Sequence, residues 1–257
     1  MTEFGPESGQ PQRLARPDDA YIAYRKLPGK TPGVVFLGGF MSDMEGTKAL
    51  ALEEYARARG QAFLRLDYQG HGQSSGRFED GTIGLWASDA TAAVAELTEG
   101  PQILVGSSMG GWIMLLAALA QPERIAGLVG IAAAPDFTED LIWDKADETQ
   151  RKAIMEDGVY REPSPYGDAP YAVTRALIED GREHLLLRRA IPLSCPVRLI
   201  HGLQDPDVPW DLSLKLAAAL DSEDVETILV KGGDHRLSEP RDIARLKAVV
   251  GALLDGL

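Results

Sequence analysis

The chain has a single cysteine, Cys195, so it cannot form an intrachain disulfide. That composition fits a reducing compartment. Cys195 stands between Ser194 and Pro196 at the start of a predicted strand. We therefore expect it to be a buried, small apolar side chain and not a nucleophile.

Long apolar runs and positive charge are also scarce. No stretch of about 18 apolar residues occurs, which predicts that no segment inserts into a membrane. The 26 Lys and Arg residues are outnumbered by 39 Asp and Glu, giving a net charge of −13. Such a surface offers no basic stripe, which excludes nucleic acid and anionic membranes as expected partners. Metal-ligand spacing and phosphate-binding glycine motifs are lacking as well, so we expect no metal and no cofactor.

The N-terminal segment Met1–Asp19 is rich in Pro, Gly and polar residues. It has neither the apolar core of a secretion signal nor the Arg-rich, acid-poor composition of an import signal. The sequence therefore predicts a mobile tail over residues 1–19 and a cytoplasmic enzyme of bacterial type.

What the chain does contain is a serine in a strand–turn–helix context. Ser108 lies in Gly106-Ser107-Ser108-Met109-Gly110, after an apolar run and before the apolar stretch Gly111–Ala120. This is the setting of a nucleophile elbow, which needs small residues on both sides of the serine. Ser74, in Gly72-Gln73-Ser74-Ser75-Gly76, matches the same pattern but has no strand before it and no helix after it. Context therefore favours Ser108 and makes Ser74 a loop residue.

An acid and a histidine follow Ser108 in the expected order. Asp205 comes after the β-rich run Val197–Ile200, and His235 comes after the run Glu226–Val230. The carboxyl ends of parallel strands share one edge of a sheet, so the three side chains can meet there. Asp207 and Asp234 are rivals of Asp205: Asp207 precedes Val208-Pro209 and points elsewhere, and Asp234 is adjacent to His235 and cannot orient its ring well.

The other histidines fit a general base less well. His71 sits in a turn before Ser108, where a structural role is expected. His201 ends a strand and is expected to shape the acid loop. His184 lies in a charged segment and is expected to be exposed.

Apolar strands alternate with helical patterns along the chain, which predicts an α/β fold with a mostly parallel sheet covered on both faces. The predicted strands are Gln12–Ala15, Tyr21–Leu27, Val34–Leu37, Ala62–Leu66, Gln102–Val105, Gly127–Ala132, Val197–Ile200 and Glu226–Leu229. The predicted helices are Thr47–Arg59, Ile83–Leu97, Met109–Ala120, Asp211–Leu220 and Pro240–Leu254.

These segments resemble the α/β-hydrolase superfamily. The resemblance to the superfamily rests on Gly70-His71-Gly72, Gly106–Gly111 and His201-Gly202-Leu203-Gln204-Asp205. A narrower resemblance, to the mitochondrial palmitoyl-protein thioesterase branch that is also described as an acyl-glucuronide esterase, rests on Leu27-Pro28-Gly29-Lys30, Gly46-Thr47-Lys48-Ala49-Leu50, Gly100–Ser108 and Asp234-His235-Arg236. It runs from about residue 21 to about residue 250 and implies a serine esterase or thioesterase. The predicted tail departs from the mitochondrial location of that branch.

A long segment interrupts the alternation after the sixth strand. Residues 135–191 far exceed the dozen or so that a crossover helix needs. The resemblance implies a helical lid at this position, so residues 20–134 and 192–257 would form the core. Aromatic and aliphatic side chains of the insert are expected to line an acyl pocket, with Trp143, Tyr171 and, from the core, Met41 as candidates. The alternative is that these side chains only anchor the insert.

The expected reaction is acyl transfer through Ser108, with His235 as base and Asp205 as the residue that orients it. By resemblance, the oxyanion is held by the N–H of Met109 and by that of Phe40, with Met41 in reserve. The family often has His-Gly where this chain has Gly38-Gly39. The expected partner is a small ester or thioester, or an S-acylated protein. An acyltransferase or lyase on the same triad, or a ligand-binding receptor of this fold, are the alternatives.

Overall fold

A computed structural model describes residues 10–162 and 170–257. Its strands are β1 Gln12–Ala15, β2 Tyr21–Leu27, β3 Lys30–Leu37, β4 Gln61–Leu66, β5 Gln102–Ser107, β6 Ile125–Ile131, β7 Val159–Glu162, β8 Tyr171–Thr174, β9 Val197–Gly202 and β10 Val225–Val230. Its α-helices are α1 Thr47–Arg59, α2 Ile83–Leu97, α3 Met109–Ala120, α4 Glu148–Glu156, α5 Arg175–Glu183, α6 Asp211–Ala219 and α7 Pro240–Gly256.

The main sheet has the order β1-β2-β4-β3-β5-β6-β9-β10. Pairing is antiparallel for β1 with β2 and for β2 with β4, and parallel from β4 onward. The predicted α/β-hydrolase fold, with eight strands and a mostly parallel sheet, is confirmed.

Apolar side chains fill both faces of this sheet, because its central strands are buried on two sides. One cluster lies under α2, α3 and α6, and it includes the fully buried Trp86 and Trp112. The second lies under α1 and α7, and it includes Phe36, Leu52 and Leu246. The two layers fix the strands whose carboxyl ends carry the candidate site.

The N-terminal segment differs from the predicted tail. Residues 12–15 form β1 and pair with β2, as the strand pattern predicts. Arg16 then donates to the buried Asp89 at 3.0 Å, which ties the segment to α2. A mobile tail is therefore wrong for residues 12–16, because β1 completes the sheet edge and Arg16 is bonded to α2; residues 1–9 lie outside the described residues.

The insert after β6 is only partly helical. It contains a short helical segment at Thr138–Trp143, then α4, the antiparallel pair β7–β8 and α5. The two-stranded pair is an addition to the predicted helical lid. Residues 163–169 of the insert lie outside the described residues. Among the helices that the structure describes, none has the length and apolar character needed to cross a bilayer.

Candidate active site

Ser108 occupies a strained turn between β5 and α3. Its backbone has φ 55° and ψ −121°, a region that side-chain-bearing residues rarely adopt. A Cβ on Gly106 would lie 2.3 Å from the Gly110 oxygen, and a Cβ on Gly110 would lie 2.2 Å from the Leu37 oxygen. Both positions therefore require glycine, as a nucleophile elbow does.

Ser108, His235 and Asp205 form a hydrogen-bonded relay across three strand ends. The Asp205 Oδ2 oxygen lies 2.8 Å from His235 Nδ1, and Ser108 Oγ lies 3.1 Å from His235 Nε2. A carboxylate can only accept, so Nδ1 carries the proton and Nε2 accepts the Ser108 hydroxyl hydrogen. This is the tautomer in which His235 could take a proton from Ser108.

The Asp205 carboxylate is fully enclosed and hydrogen-bonded at both oxygens. Its Oδ1 accepts from the Asp207 and Val208 amides, each at 2.9 Å, and Oδ2 also lies 3.1 Å from His201 Nε2. Burial alone would raise the pKa of Asp205, but hydrogen bonds from His201 and His235 outweigh it and hold the pKa well below its usual range. Asp205 is therefore charged at neutral pH.

The rival acids and the other histidines have different roles in the structure. Asp207 contributes its backbone N–H to Asp205, and Asp234 accepts from the Leu237 amide at 2.9 Å. His201 is buried near the end of β9 and contacts the acid loop, as expected. His184 is about one-third exposed beside Asp180.

The loop after β3 passes directly over Ser108. A Cβ on Gly39 would lie 3.3 Å from Ser108 Cβ, so the backbone of Gly39 approaches the serine closely. Met109 is the first residue of α3, where an amide has no partner within the helix. The assignment of the Phe40 and Met109 amides as oxyanion donors stays a prediction. The Met41 N–H instead donates to His71 Nε2 at 3.3 Å.

Ser74 is held in the loop after β4 by two hydrogen bonds. Its Oγ donates to the Asp67 carbonyl at 2.6 Å and accepts from the Ala23 amide at 2.7 Å. The structure therefore gives the Ser74 hydroxyl a local bonding role and no histidine side chain as partner among the described residues; the Ser74 N–H donates to the His71 carbonyl at 3.0 Å.

Two features near the site were not anticipated from the sequence. Lys48 donates to the Arg236 carbonyl at 2.5 Å and so contacts the loop that carries His235. Burial, with the nearby charge of Arg236, lowers the pKa of Lys48 to about 8. Asp67 and Tyr68, just before His71, also bond to the loop after β3. Their only sequence signal is their position beside Gly70-His71-Gly72.

The predicted pocket residues fall into two places. Tyr171 lies against Phe40 with ring centroids 5.8 Å apart, and Met41 is 36% exposed. Trp143 instead lies between the guanidinium groups of Arg151 and Arg182, 5.3 and 4.7 Å from its ring centroid. Its contacts lie within the insert.

One group of side chains has the geometry of a cation site. Ligand atoms of Asp205, Asp207 and His235 lie within 4.8 Å of one another. Both Asp205 oxygens and His235 Nδ1 already take part in the hydrogen bonds given above, so a cation there would have to replace the relay. The absence of metal and cofactor stays a prediction. Burial raises the pKa of the Cys195 thiol, which opposes a nucleophilic role.

Comparison with known proteins gives consistent matches. Residues 34–246 match the model of the alpha/beta hydrolase family. The mitochondrial palmitoyl-protein thioesterase ABHD10 of Homo sapiens is 43% identical over 245 residues, which cover 95% of this chain and 80% of that protein. The protein of the same name from Bos taurus gives the same identity and coverage.

Solved structures agree with the sequence matches. Alpha/beta hydrolase domain-containing protein 10 from mouse superposes with a TM-score of 0.89 at 40% identity, covering 96% of this chain and 99% of that one. A putative hydrolase from Agrobacterium vitis S4 gives a TM-score of 0.91 at 40% identity, covering 95% and 97%. The resemblance described from the sequence motifs is confirmed.

Proposed function

Because the chain belongs to the alpha/beta hydrolase family, we propose that it hydrolyses carboxylic esters or thioesters through Ser108, His235 and Asp205. The observation that carries this proposal is the position of His235, which bridges Ser108 Oγ and Asp205 Oδ2 at 3.1 and 2.8 Å. A serine hydroxyl bonded to an imidazole that a carboxylate orients is the arrangement for nucleophilic acyl transfer.

The residues then have the following roles. His235 Nε2 takes the Ser108 proton as Oγ attacks the acyl carbon, and the amides of Phe40 and Met109 stabilise the oxyanion. His235 gives that proton to the departing alcohol or thiol. It next takes a proton from water as that water attacks the acyl-enzyme, and it returns this proton to Ser108 Oγ as the acid leaves. Asp205 keeps the imidazole in the required tautomer and stabilises its charged form.

Thioesters, including S-acylated proteins, are the substrates that we infer first. The similarity to proteins named palmitoyl-protein thioesterase supports this choice. In this proposal Met41 and Tyr171 border the acyl group, Trp143 supports the insert or extends the pocket, and the insert over residues 135–191 is a lid. The cytoplasmic location stays a prediction.

Replacement of the serine tests the proposal. Ser108→Ala should lower kcat by about 10⁴ to 10⁶, the scale of triad removals. The matched control is Ser74→Ala, the second motif serine, which should change kcat less than about threefold. A fluorophosphonate should label the peptide with Ser108. Labelling of the Ser74 peptide, or turnover by Ser108→Ala, would contradict the assignment.

A substrate panel tests the bond that is cleaved. Matched p-nitrophenyl esters and S-acyl thioesters of graded length should all be turned over many times, with thioesters at least as fast as esters. A single turnover that leaves a modified protein would indicate the receptor alternative. Formation of acyl transfer products instead of free acid would indicate an acyltransferase.

A further inference from the structure

His71 contacts the loop after β3 through one atom of its ring, Nε2. The Met41 amide donates to His71 Nε2 at 3.3 Å, and Met41 has φ 55°, a left-handed conformation for a residue with a side chain. Among the described residues, no acceptor takes the neighbouring Phe40 N–H. The two candidate oxyanion amides therefore differ: one is bonded to His71 and the other is not.

The ring of His71 is fixed in one tautomer. Its Nδ1 lies 3.4 Å from the Gln69 carbonyl, which can only accept, so Nδ1 carries the hydrogen and Nε2 accepts. Burial lowers the pKa of His71 to about 4, so the imidazole stays neutral at physiological pH. Nε2 is therefore a permanent acceptor for the Met41 amide.

The surroundings of His71 hold the ring still. Phe78 and Trp86 each lie 5.1 Å from it, centroid to centroid. Gln69 is itself fixed, because its amide and its side-chain nitrogen donate to Asp89 at 2.8 and 2.9 Å. The acceptor atom thus has a defined position relative to the sheet.

The segment after β4, which contains His71, forms two more hydrogen bonds with the loop after β3. The Tyr68 hydroxyl donates to the Gly38 carbonyl at 3.3 Å, and Asp67 Oδ1 accepts from the Met44 amide at 2.7 Å. Along the loop, Met41, the partner of His71, lies between Gly38 and Met44. Gly38 has no side chain of its own with which to support the loop, and the segment after β4 supplies that support.

We propose that His71 is a positioning residue for the oxyanion hole: it accepts the Met41 N–H, withdraws that amide from the anion site and leaves the Phe40 N–H as the loop's donor. This inference rests on the proposed acyl-transfer function. It decides between Phe40 and Met41, which the sequence leaves open.

The test compares two variants that differ at the acceptor atom. His71→Gln can place an oxygen near the position of Nε2, whereas His71→Leu has similar bulk and no acceptor. Loss of an oxyanion donor costs about 10²- to 10³-fold in kcat, so a misplaced donor in His71→Leu should cost roughly 10- to 100-fold. KM should change less than about threefold, and His71→Gln should recover most of the loss. His184→Leu, on the insert, is the control for loss of a histidine and should keep kcat within about twofold.

Two measurements separate positioning from a general structural effect. Active sites are counted with a fluorophosphonate, so kcat refers to folded enzyme. The affinity for a trifluoromethyl ketone, which forms an oxyanion adduct with the serine, should fall in His71→Leu by the same factor as kcat/KM. If His71→Leu does not fold, His71→Asn replaces it, since its oxygen lies near Nδ1 and not near Nε2.

Two results would overturn the inference: wild-type kcat in His71→Leu, or a loss in His71→Gln as large as in His71→Leu. Ser108→Ala is assayed in parallel. If Ser108→Ala is inactive while His71→Leu is normal, only the role of His71 is wrong. If Ser108→Ala keeps its activity, the proposed function itself is wrong.

Discussion

One carboxylate oxygen of Asp205 accepts hydrogen bonds from two histidine rings. Asp205 Oδ2 lies 2.8 Å from His235 Nδ1 and 3.1 Å from His201 Nε2. His201 Nε2 also lies 3.1 Å from the Val208 carbonyl, so with two acceptors beside it this nitrogen must carry a hydrogen. Together with the Asp207 and Val208 amides, His201 fixes the Asp205 carboxylate in one orientation, with Oδ2 towards His235.

Asp205→Asn should therefore disrupt the relay. An amide nitrogen at the position of Oδ2 would donate and not accept, which favours the wrong imidazole tautomer of His235. We expect kcat to fall by about 10³ to 10⁴. Asp207→Asn is the matched control: its backbone amide still reaches Asp205, so kcat should change less than about threefold. Equal losses in both variants would leave the acid unassigned.

Titration of His71 should appear in the pH dependence of stability. An exposed histidine in the unfolded chain has a pKa of 6.5, and burial lowers that of folded His71 to about 4. As pH falls through this window the unfolded chain binds a proton that the folded chain does not. Stability is therefore lost from about pH 6.5 down to about pH 4, by up to about 3 kcal/mol. Tyr68, which contacts the ring, stays neutral because burial raises its pKa well above the usual value.

Urea unfolding of the wild type and of His71→Gln at pH 7, 6, 5 and 4 measures this effect. The free energy of unfolding of the wild type should drop relative to the variant as pH falls. His71→Leu should show the same relative drop, although its activity differs, because neither replacement titrates. A constant difference between wild type and variants across this range would show that His71 is not desolvated.

At the residue scale, the sequence predicts the relay but not what supports it. Ser108 could be separated from Ser74 because only Ser108 follows an apolar strand and precedes a helix. The bonds from Asp67 and Tyr68 to the loop after β3 run from side chains to backbone groups across two loops. Such bonds depend on the paths of both loops, which no local periodicity encodes.

At the element scale, predictions are best where burial is periodic and poorer where Pro, Gly or a short strand interrupts the pattern. The helices α1, α2 and α3 have the predicted bounds, since each carries an apolar stripe or is buried all round. Strand β3 begins at Lys30, four residues before the predicted Val34. The sequence does not indicate its first residues, because Pro32 and Gly33 are unfavourable inside strands. The sequence does not predict the pair β7–β8, whose strands have four residues each and lie within the insert.

Hydrogen bonds and an ion pair join the first and last residues of the insert, next to the core. Asp136 is fully buried and accepts from the amides of Leu186 and Leu187 at 2.8 and 2.9 Å. Arg188 adds an ion pair to the same carboxylate at 3.4 Å. The two ends of the insert are thus held together, and the segment between them is placed near Phe40 through Tyr171 and Phe137.

Tyr171→Ala should change acyl-chain preference. A buried methylene contributes about 0.8 kcal/mol, so if half of that is kept in the transition state, four more methylenes raise kcat/KM roughly tenfold. The preference should climb with chain length and then fall when the pocket is full. Removal of the Tyr171 ring beside Phe40 should move the maximum to longer chains and leave acetyl ester hydrolysis nearly intact.

Trp143→Ala tests the other predicted pocket residue with the same acetyl-to-decanoyl series. A shift in both variants would place both rings along the acyl chain. A shift in Tyr171→Ala alone would fit the contacts of Trp143 with Arg151 and Arg182. A flat profile, unchanged by either substitution, would mean that the insert only anchors itself to the core.

At the scale of the whole molecule, the sequence predicts the fold and the set of residues proposed to carry the reaction, but it does not predict the substrate. The sheet follows from apolar strands that alternate with helices, and its carboxyl edge then gathers Ser108, Asp205 and His235. In the proposed function, acyl length and leaving group are selected by the surface between the insert and the loop after β3. Many functions share this fold, so the fold leaves that choice open.

The charge of the whole molecule gives a last prediction. With a net charge of −13, like charges repel across the folded surface, and salt screens that repulsion. Salt also weakens exposed ion pairs such as Lys152–Glu156, but each of these contributes little. We expect the repulsion to dominate, so that raising NaCl from about 0.05 M to about 0.5 M at pH 7.5 raises Tm by about 2 to 6 °C. Near pH 5, close to the isoelectric point of about 4.8, the same salt step should have almost no effect. Equal shifts in Tm at both pH values would show that salt acts through apolar burial and not through net charge.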